Sequence, residues 1–130
     1  THAHADHLRW GSRRYLVSAA GETVTRARLG PDAVVQTVPY GEPLTLNGVR
    51  VSLHPAGHVL GSAQVRVEHR GEVWVVSGDY KTGGGDPTNA PFEPVRCHGF
   101  VTESTFGLPI YRWPDPATLA ADVNAWWRAS

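Results

Sequence analysis

The run His2-Ala3-His4-Ala5-Asp6-His7 constrains this chain more than any other stretch. Four side chains able to ligate a metal stand within six residues, separated by alanines. In an extended strand end, residues two apart project to the same side, so His2 and His4 can face one ion. Asp6 and His7 are adjacent, and both reach a site only if the backbone turns after His4. Such a turn would present them to a second ion beside the first. Nitrogen and oxygen donors without thiolates suit Zn²⁺, Mn²⁺ or Fe in an open catalytic site better than in a closed structural one. A histidine-rich surface loop or a tag remnant would not supply an interposed Asp, nor matching donors downstream.

Two later stretches supply those donors. In Pro55-Ala56-Gly57-His58-Val59-Leu60-Gly61-Ser62, His58 lies between small, turn-forming residues just after a strand pattern. Taken alone it would read as a hydrogen-bonded loop histidine. Ser77-Gly78-Asp79-Tyr80 follows the apolar run Val73-Trp74-Val75-Val76. A carboxylate at the end of a buried strand is costly unless paired or metal-bound. Asp79 alone would be a turn residue. With the other five donors it becomes the candidate bridge, one oxygen to each of two ions.

Composition narrows the partners. The 130 residues amount to one domain at most, with 12 basic and 12 acidic residues and zero formal net charge. No global attraction draws such a chain to nucleic acid or an anionic membrane, so phosphate binding needs local charge or metals. No apolar run spans a bilayer and no secretory signal pattern opens the chain. The lone cysteine, Cys97, fits a reducing cytoplasm. Lys81, Arg9, Arg13 and Arg14 could touch a nucleic-acid path or simply be solvated. Tyr111, Arg112 and Trp113 could contact a strand, with packing the blander reading for Trp113. His54, His69 and His98 are read as structural or without a role.

The pattern predicts a mixed α/β domain. Ser12 is placed as the N-cap of a short helix ending near Gly21, with Tyr15, Leu16, Ala19 and Ala20 on its apolar face. Strands are expected over residues 24–28, 34–38, 43–46, 49–53, 63–68 and 72–76, with hairpins at Asn47-Gly48 and around His69-Arg70-Gly71. The continuous run Val73 to Val76 suggests a strand buried on both faces. Phe100-Val101-Thr102 reads as another short buried strand, after a flexible Gly83-Gly84-Gly85 loop. Asp115-Pro116 starts a helix with apolar face Leu119, Val123, Trp126 and Trp127.

HAHADH, the Gly57-His58 loop and Ser77-Gly78-Asp79 resemble the metallo-β-lactamase fold. Thr102-Glu103-Ser104-Thr105-Phe106-Gly107 resembles the first motif of its nucleic-acid-processing β-CASP branch. The runs PAGHVLGSAQVRVE, GEVWVVSGDYK and PFEPVRCHGFVTESTFGLPIYRW look most like the bacterial ligase-associated DNA exonucleases. The resemblance implies a partial αββα sandwich over 1–107 and the beginning of a β-CASP domain over 108–130. It implies that His2, His4 and His58 hold one metal, that Asp6 and His7 hold a second, and that Asp79 bridges them. It implies catalytic roles for Asp6, Asp79 and Glu103, the last by hydrogen bonding to a histidine from a downstream motif.

That histidine, the family's further second-site histidine and the strands that precede HxHxDH have no match here, so the chain looks like a fragment. The implied activity is hydrolysis of nucleic-acid phosphodiesters, as a DNA exonuclease in repair, by hydroxide activated between two divalent ions, Zn²⁺ or alternatively Mn²⁺. Implied partners are a DNA substrate, a DNA ligase and a helicase, with no membrane. The alternatives are a small-molecule thioesterase or lactamase of the same fold, or an inactive metal-binding fragment.

Overall fold

In a computed structural model, which describes residues 1–83 and 86–129, the chain is mixed α/β. Gly84 and Gly85 of the expected flexible loop lie outside the described residues. Five strands form one sheet in the order β3-β4-β5-β6-β7: β3 (Leu44–Leu46), β4 (Val49–Pro55), β5 (Ala63–His69), β6 (Glu72–Val76) and β7 (Gly99–Val101). The first four are antiparallel neighbours, and β7 runs parallel to β6. Asn47 (φ 49°) and Gly48 (φ 80°) turn β3 into β4. Arg70 (φ 49°) and Gly71 (φ 85°) do the same between β5 and β6. Two successive positive φ values match the right-handed twist of a hairpin, which is why Asn-Gly marked the first turn so clearly.

The N-terminal third departs from expectation. Residues 15–18 form a strand, β1 (Tyr15–Ser18), parallel to β2 (Val35–Val38), rather than a helix capped by Ser12. The contiguous apolar triplet Tyr15-Leu16-Val17 pairs with a β-branched partner, and pairing outweighs the weak helical spacing. Ser18, not Ser12, is the cap: its Oγ accepts from Gly21 N at 3.1 Å as the chain enters a 3₁₀ turn over Ala19–Gly21. The expected strand at 24–28 is helical, α1 (Glu22–Leu29). Its buried positions Thr25 and Leu29 are four apart, Glu22 and Arg26 pair at 2.8 Å, and Gly30 (φ 83°) ends it. The two-residue alternation of that stretch obscured the four-residue one.

Two strands expected to be buried are less covered than that, β6 on one face only and β7 on neither. In β6, Val73 and Val75 face the core, while Trp74 and Val76 are exposed. In β7, Phe100 and Val101 are exposed as well. A short apolar run cannot by itself say how many faces are covered. The core is built from Leu29, Val38, Leu53, Ala56, Ala63, Val73 and Val75. The second helix, α2 (Pro116–Ala129), begins as expected, with Asp115 Oδ1 accepting from Ala117 N and Thr118 N. No helix among the described residues is long and apolar enough to cross a membrane.

Candidate metal centre

Three loops at one end of the five-stranded sheet bring the donors together. Thr1 O accepts from Ala63 N at 2.9 Å, which anchors the N-terminal run beside the start of β5. His4 O then accepts from both His7 N (3.1 Å) and Leu8 N (2.9 Å), forming the turn that the adjacent Asp6-His7 pair required. His2 and His4 share one side through a bend rather than an extended strand end. His58 sits in the β4–β5 connection, where Ser62 Oγ accepts from His58 N and Val59 N. Gly57 holds φ 73° in that loop, and a Cβ there would lie 2.8 Å from Phe92 N. Asp79 follows β6 through Gly78 at φ 57°, where a Cβ would meet Thr1 Cβ at 2.6 Å. Glycine is needed at Gly78 for both conformation and space.

Asp79 lies at the middle of the cluster. Its Oδ2 is 3.6 Å from His2 Nε2 and 3.9 Å from His58 Nε2, and its Oδ1 is 3.2 Å from His7 Nε2. His4 Nδ1 is 2.9 Å from His2 Nε2 and 3.4 Å from His58 Nε2. One donor atom from each of His2, His4, His58 and Asp79 falls within 4.8 Å of the other three. Donors around an ion at ~2.1 Å stand about 3–4 Å apart, so the set fits a divalent cation with little movement. Imidazole nitrogens and a carboxylate oxygen are also the donor chemistry such a cation takes. Asp6 is outside this group: it is 73% exposed, with Oδ2 3.6 Å from His7 Nε2.

The electrostatics favour a neutral, ligating histidine. Burial of His2, reinforced by the nearby His7, His4 and His58, lowers its pKa to about 4 against the opposing pull of Asp79. Its lone pair is therefore available at neutral pH. Asp6 is held below the usual carboxylate range, chiefly by a hydrogen bond from its own backbone N–H. Glu103 is also lowered, first by the Thr105 side chain, then by the N–H groups of Thr105 and Tyr80. Those two donors lie 3.2 Å and 3.3 Å from its carboxylate. Glu103 shares a cleft with His58 and Asp79.

Thr1 was not among the expected site residues. Its Oγ1 is 3.2 Å from His2 Nδ1 and 3.0 Å from His7 Nδ1. The hydroxyl directly before the histidine run was the available signal. His54 and His98 make structural contacts. His54 Nδ1 meets Glu93 Oε1 at 3.0 Å, and His98 Nδ1 accepts from Val73 N.

No family model matches the chain. Curated relatives do. The chain is 34% identical over 126 residues to a "Probable DNA ligase" of Opitutus terrae, covering 95% of this chain and 12% of that protein. It is 34% identical over 78 residues to the endoribonuclease YSH1 of Saccharomyces cerevisiae, covering 59% of this chain and 10% of that one. The cleavage and polyadenylation specificity factor subunit 3 of Dictyostelium discoideum is 30% identical over 78 residues, again 59% of this chain and 10% of the relative. The chain thus spans about a tenth of the length of the relatives it matches. Over 59% of its length the chain resembles proteins of the β-CASP branch of the metallo-β-lactamase family, and its converging histidines and aspartate agree with that resemblance.

Proposed function

We propose that this chain is part of a metal-dependent nucleic-acid phosphodiesterase, specifically a DNA exonuclease acting in repair in the cytoplasm. The observation that carries the reading is the placement of Asp79. One oxygen faces His2 and His58, the other faces His7. His2, His4 and His58 would hold one divalent ion, His7 and Asp6 would take part in a second, and Asp79 would serve both. Zn²⁺ suits this donor set, and Mn²⁺ is the alternative. Bound there, two such cations supply Lewis-acid activation of water and neutralise phosphate charge.

The chain's own residues do the rest. His2 stays neutral and buried, so it presents a lone pair without first shedding a proton. Thr1 fixes the ring orientation of His2 and His7 from behind. Glu103 is an ionised acceptor held by two backbone N–H groups. It is suited to orienting a proton donor near the leaving oxygen, not to donating a proton itself. Residues 1–107 would belong to a metallo-β-lactamase αββα sandwich and 108–130 to the start of a β-CASP domain. The ligase-named relative supports a setting beside a DNA ligase, and a helicase partner accords with the same setting.

The test uses the full-length protein with end-labelled single- and double-stranded DNA and RNA, loaded with Zn²⁺ or Mn²⁺. Cleavage of DNA from an end is expected. Thioester hydrolysis without nucleic-acid cleavage would sink the reading. Replacement of Asp79 by Ala should lower the bound metal and abolish cleavage together; an unchanged content of both ions rejects the shared role.

A further inference from the structure

The metal-ligating cluster opens on one side into a cleft of about 720 Å³. His58 and Asp79 form one wall. Lys81, Phe106 and Trp113 line the same cleft. We propose that this cleft is a nucleotide subsite, in which a base stacks on Trp113, whose ring Phe106 holds edge-to-face, while Lys81 contacts a flanking phosphate. The inference rests on the phosphodiesterase reading of the adjacent donors.

Phe106 and Trp113 pack edge-to-face, with centroids 5.0 Å apart at 87°. Such a contact uses one ring face and leaves others open to a planar ligand. Trp113 is 71% exposed, and Phe106 is 56% exposed. Tyr111 braces Phe106 from another side at 5.2 Å and 84°, so the platform is held and not a lone surface ring. Lys81, the chain's sole lysine, has its backbone fixed by Lys81 N donating to Ala56 O at 3.0 Å. The opposite carboxylate, Glu103, already accepts two backbone N–H groups. Zero net charge gives these residues no long-range attraction for a polyanion, so capture must come from local contacts. An aromatic platform, one cation and a metal-ligating wall around a single cleft match a nucleotide's base and its two phosphates. A base-stacking platform is sequence-tolerant, since every base offers a π-face.

The experiment measures equilibrium binding to the metal-loaded full-length protein. The probes are hexadeoxyuridylate, hexauridylate and an abasic hexamer with the same number of phosphates, all phosphorothioate-linked to suppress hydrolysis, so that the two base-bearing probes differ only in the 2′-hydroxyl. The wild type should prefer at least one base-bearing hexamer over the abasic one by about tenfold or more, the scale of one base–aromatic stack. Trp113→Ala should erase that preference, and Trp113→Phe should retain most of it with metal content unchanged. Lys81→Ala should weaken all three probes alike and reduce the salt dependence by about one phosphate contact. The tighter of the two base-bearing probes identifies whether deoxyribo- or ribonucleotide is the occupant.

A wild type that ignores the bases, or a Trp113→Ala variant that keeps the preference, overturns the subsite. Trp113-dependent binding without any nucleic-acid hydrolysis supports the subsite and rejects the hydrolase. Hydrolysis with Trp113-indifferent binding does the reverse.

Discussion

Thr1 is the residue on which the metal cluster turns most quietly. Its hydroxyl meets Nδ1 of both His2 and His7, the two rings whose Nε2 atoms face Asp79. For both Nε2 atoms to ligate, both Nδ1 atoms must carry their protons, and one hydroxyl oxygen has the two lone pairs to accept them. Thr1→Val keeps the shape and removes the acceptor. Metal affinity should fall about 10- to 100-fold with the fold intact, as for other partners that orient metal-bound histidines. Titration against a competing chelator checks this, and an unchanged affinity rejects the role. The donor run, His58 and Asp79 were all legible as residue types near strand ends. Their orienting partner was not, since a nearby hydroxyl such as Ser77 or Thr105 has no sequence mark that sets it apart from Thr1. Ser77 Oγ is instead turned to Gly78 O, and the Thr105 side chain serves Glu103. Thr1 reaches the site because its carbonyl is held by Ala63, 62 positions along the chain, and no local pattern records such a pairing.

At the level of elements, two side chains tie the loops that carry the site. Gln64 in β5 is wholly buried, and its Nε2 donates to Pro55 O (2.8 Å) and Glu93 O (2.7 Å), joining the end of β4 to the 90s loop. Gln64→Leu removes both bonds at similar volume; Pro55 O keeps Glu93 N as a donor at 3.1 Å, while Glu93 O loses the Gln64 amide, a loss of roughly 1–3 kcal/mol. The urea midpoint reads it, and a shift below a tenth of that size would show that the loops hold without Gln64. Tyr40 donates to Ser62 O at 2.9 Å, and burial raises its pKa above the ordinary 10.0. The folded state keeps that proton longer than the unfolded chain does. The stability it contributes is thus complete below pH 10 and is lost as pH rises through the raised folded value. Tyr40→Phe should flatten this alkaline decline, and equal slopes in the two proteins would dismiss it. The hairpins were readable because Asn47-Gly48 and Arg70-Gly71 need a left-handed backbone that few residues accept. The N-terminal β1–α1 order was not, because Tyr15-Leu16-Val17 finds its partner only at Val35–Val38.

Across the whole molecule, order is unevenly supported. The β4–β5 ladder carries six residue pairs and the buried Ser52, Leu53, Pro55, Ala63 and Gln64, whereas α2 buries none. Leu119, Val123, Trp126 and Trp127 stand at 51%, 52%, 68% and 76% exposure. The amphipathic stripe of α2 was plain in the sequence; what covers it is not a property of the helix. A 14-residue helix with a good cap but no buried residue is marginal in water, since nucleation is costly and tertiary burial normally supplies the balance. In the 130-residue polypeptide, amide hydrogen exchange should therefore divide the chain. Amides of α2 should exchange almost as fast as an unstructured peptide, while those of β4 and β5 should wait for global unfolding. Asp115→Ala, which removes the acceptor for Ala117 N and Thr118 N, should speed exchange in α2 further and leave the β4–β5 ladder unchanged. Protection in α2 equal to that of β5 would mean that its apolar stripe is already packed, and that helix and sheet unfold as one unit.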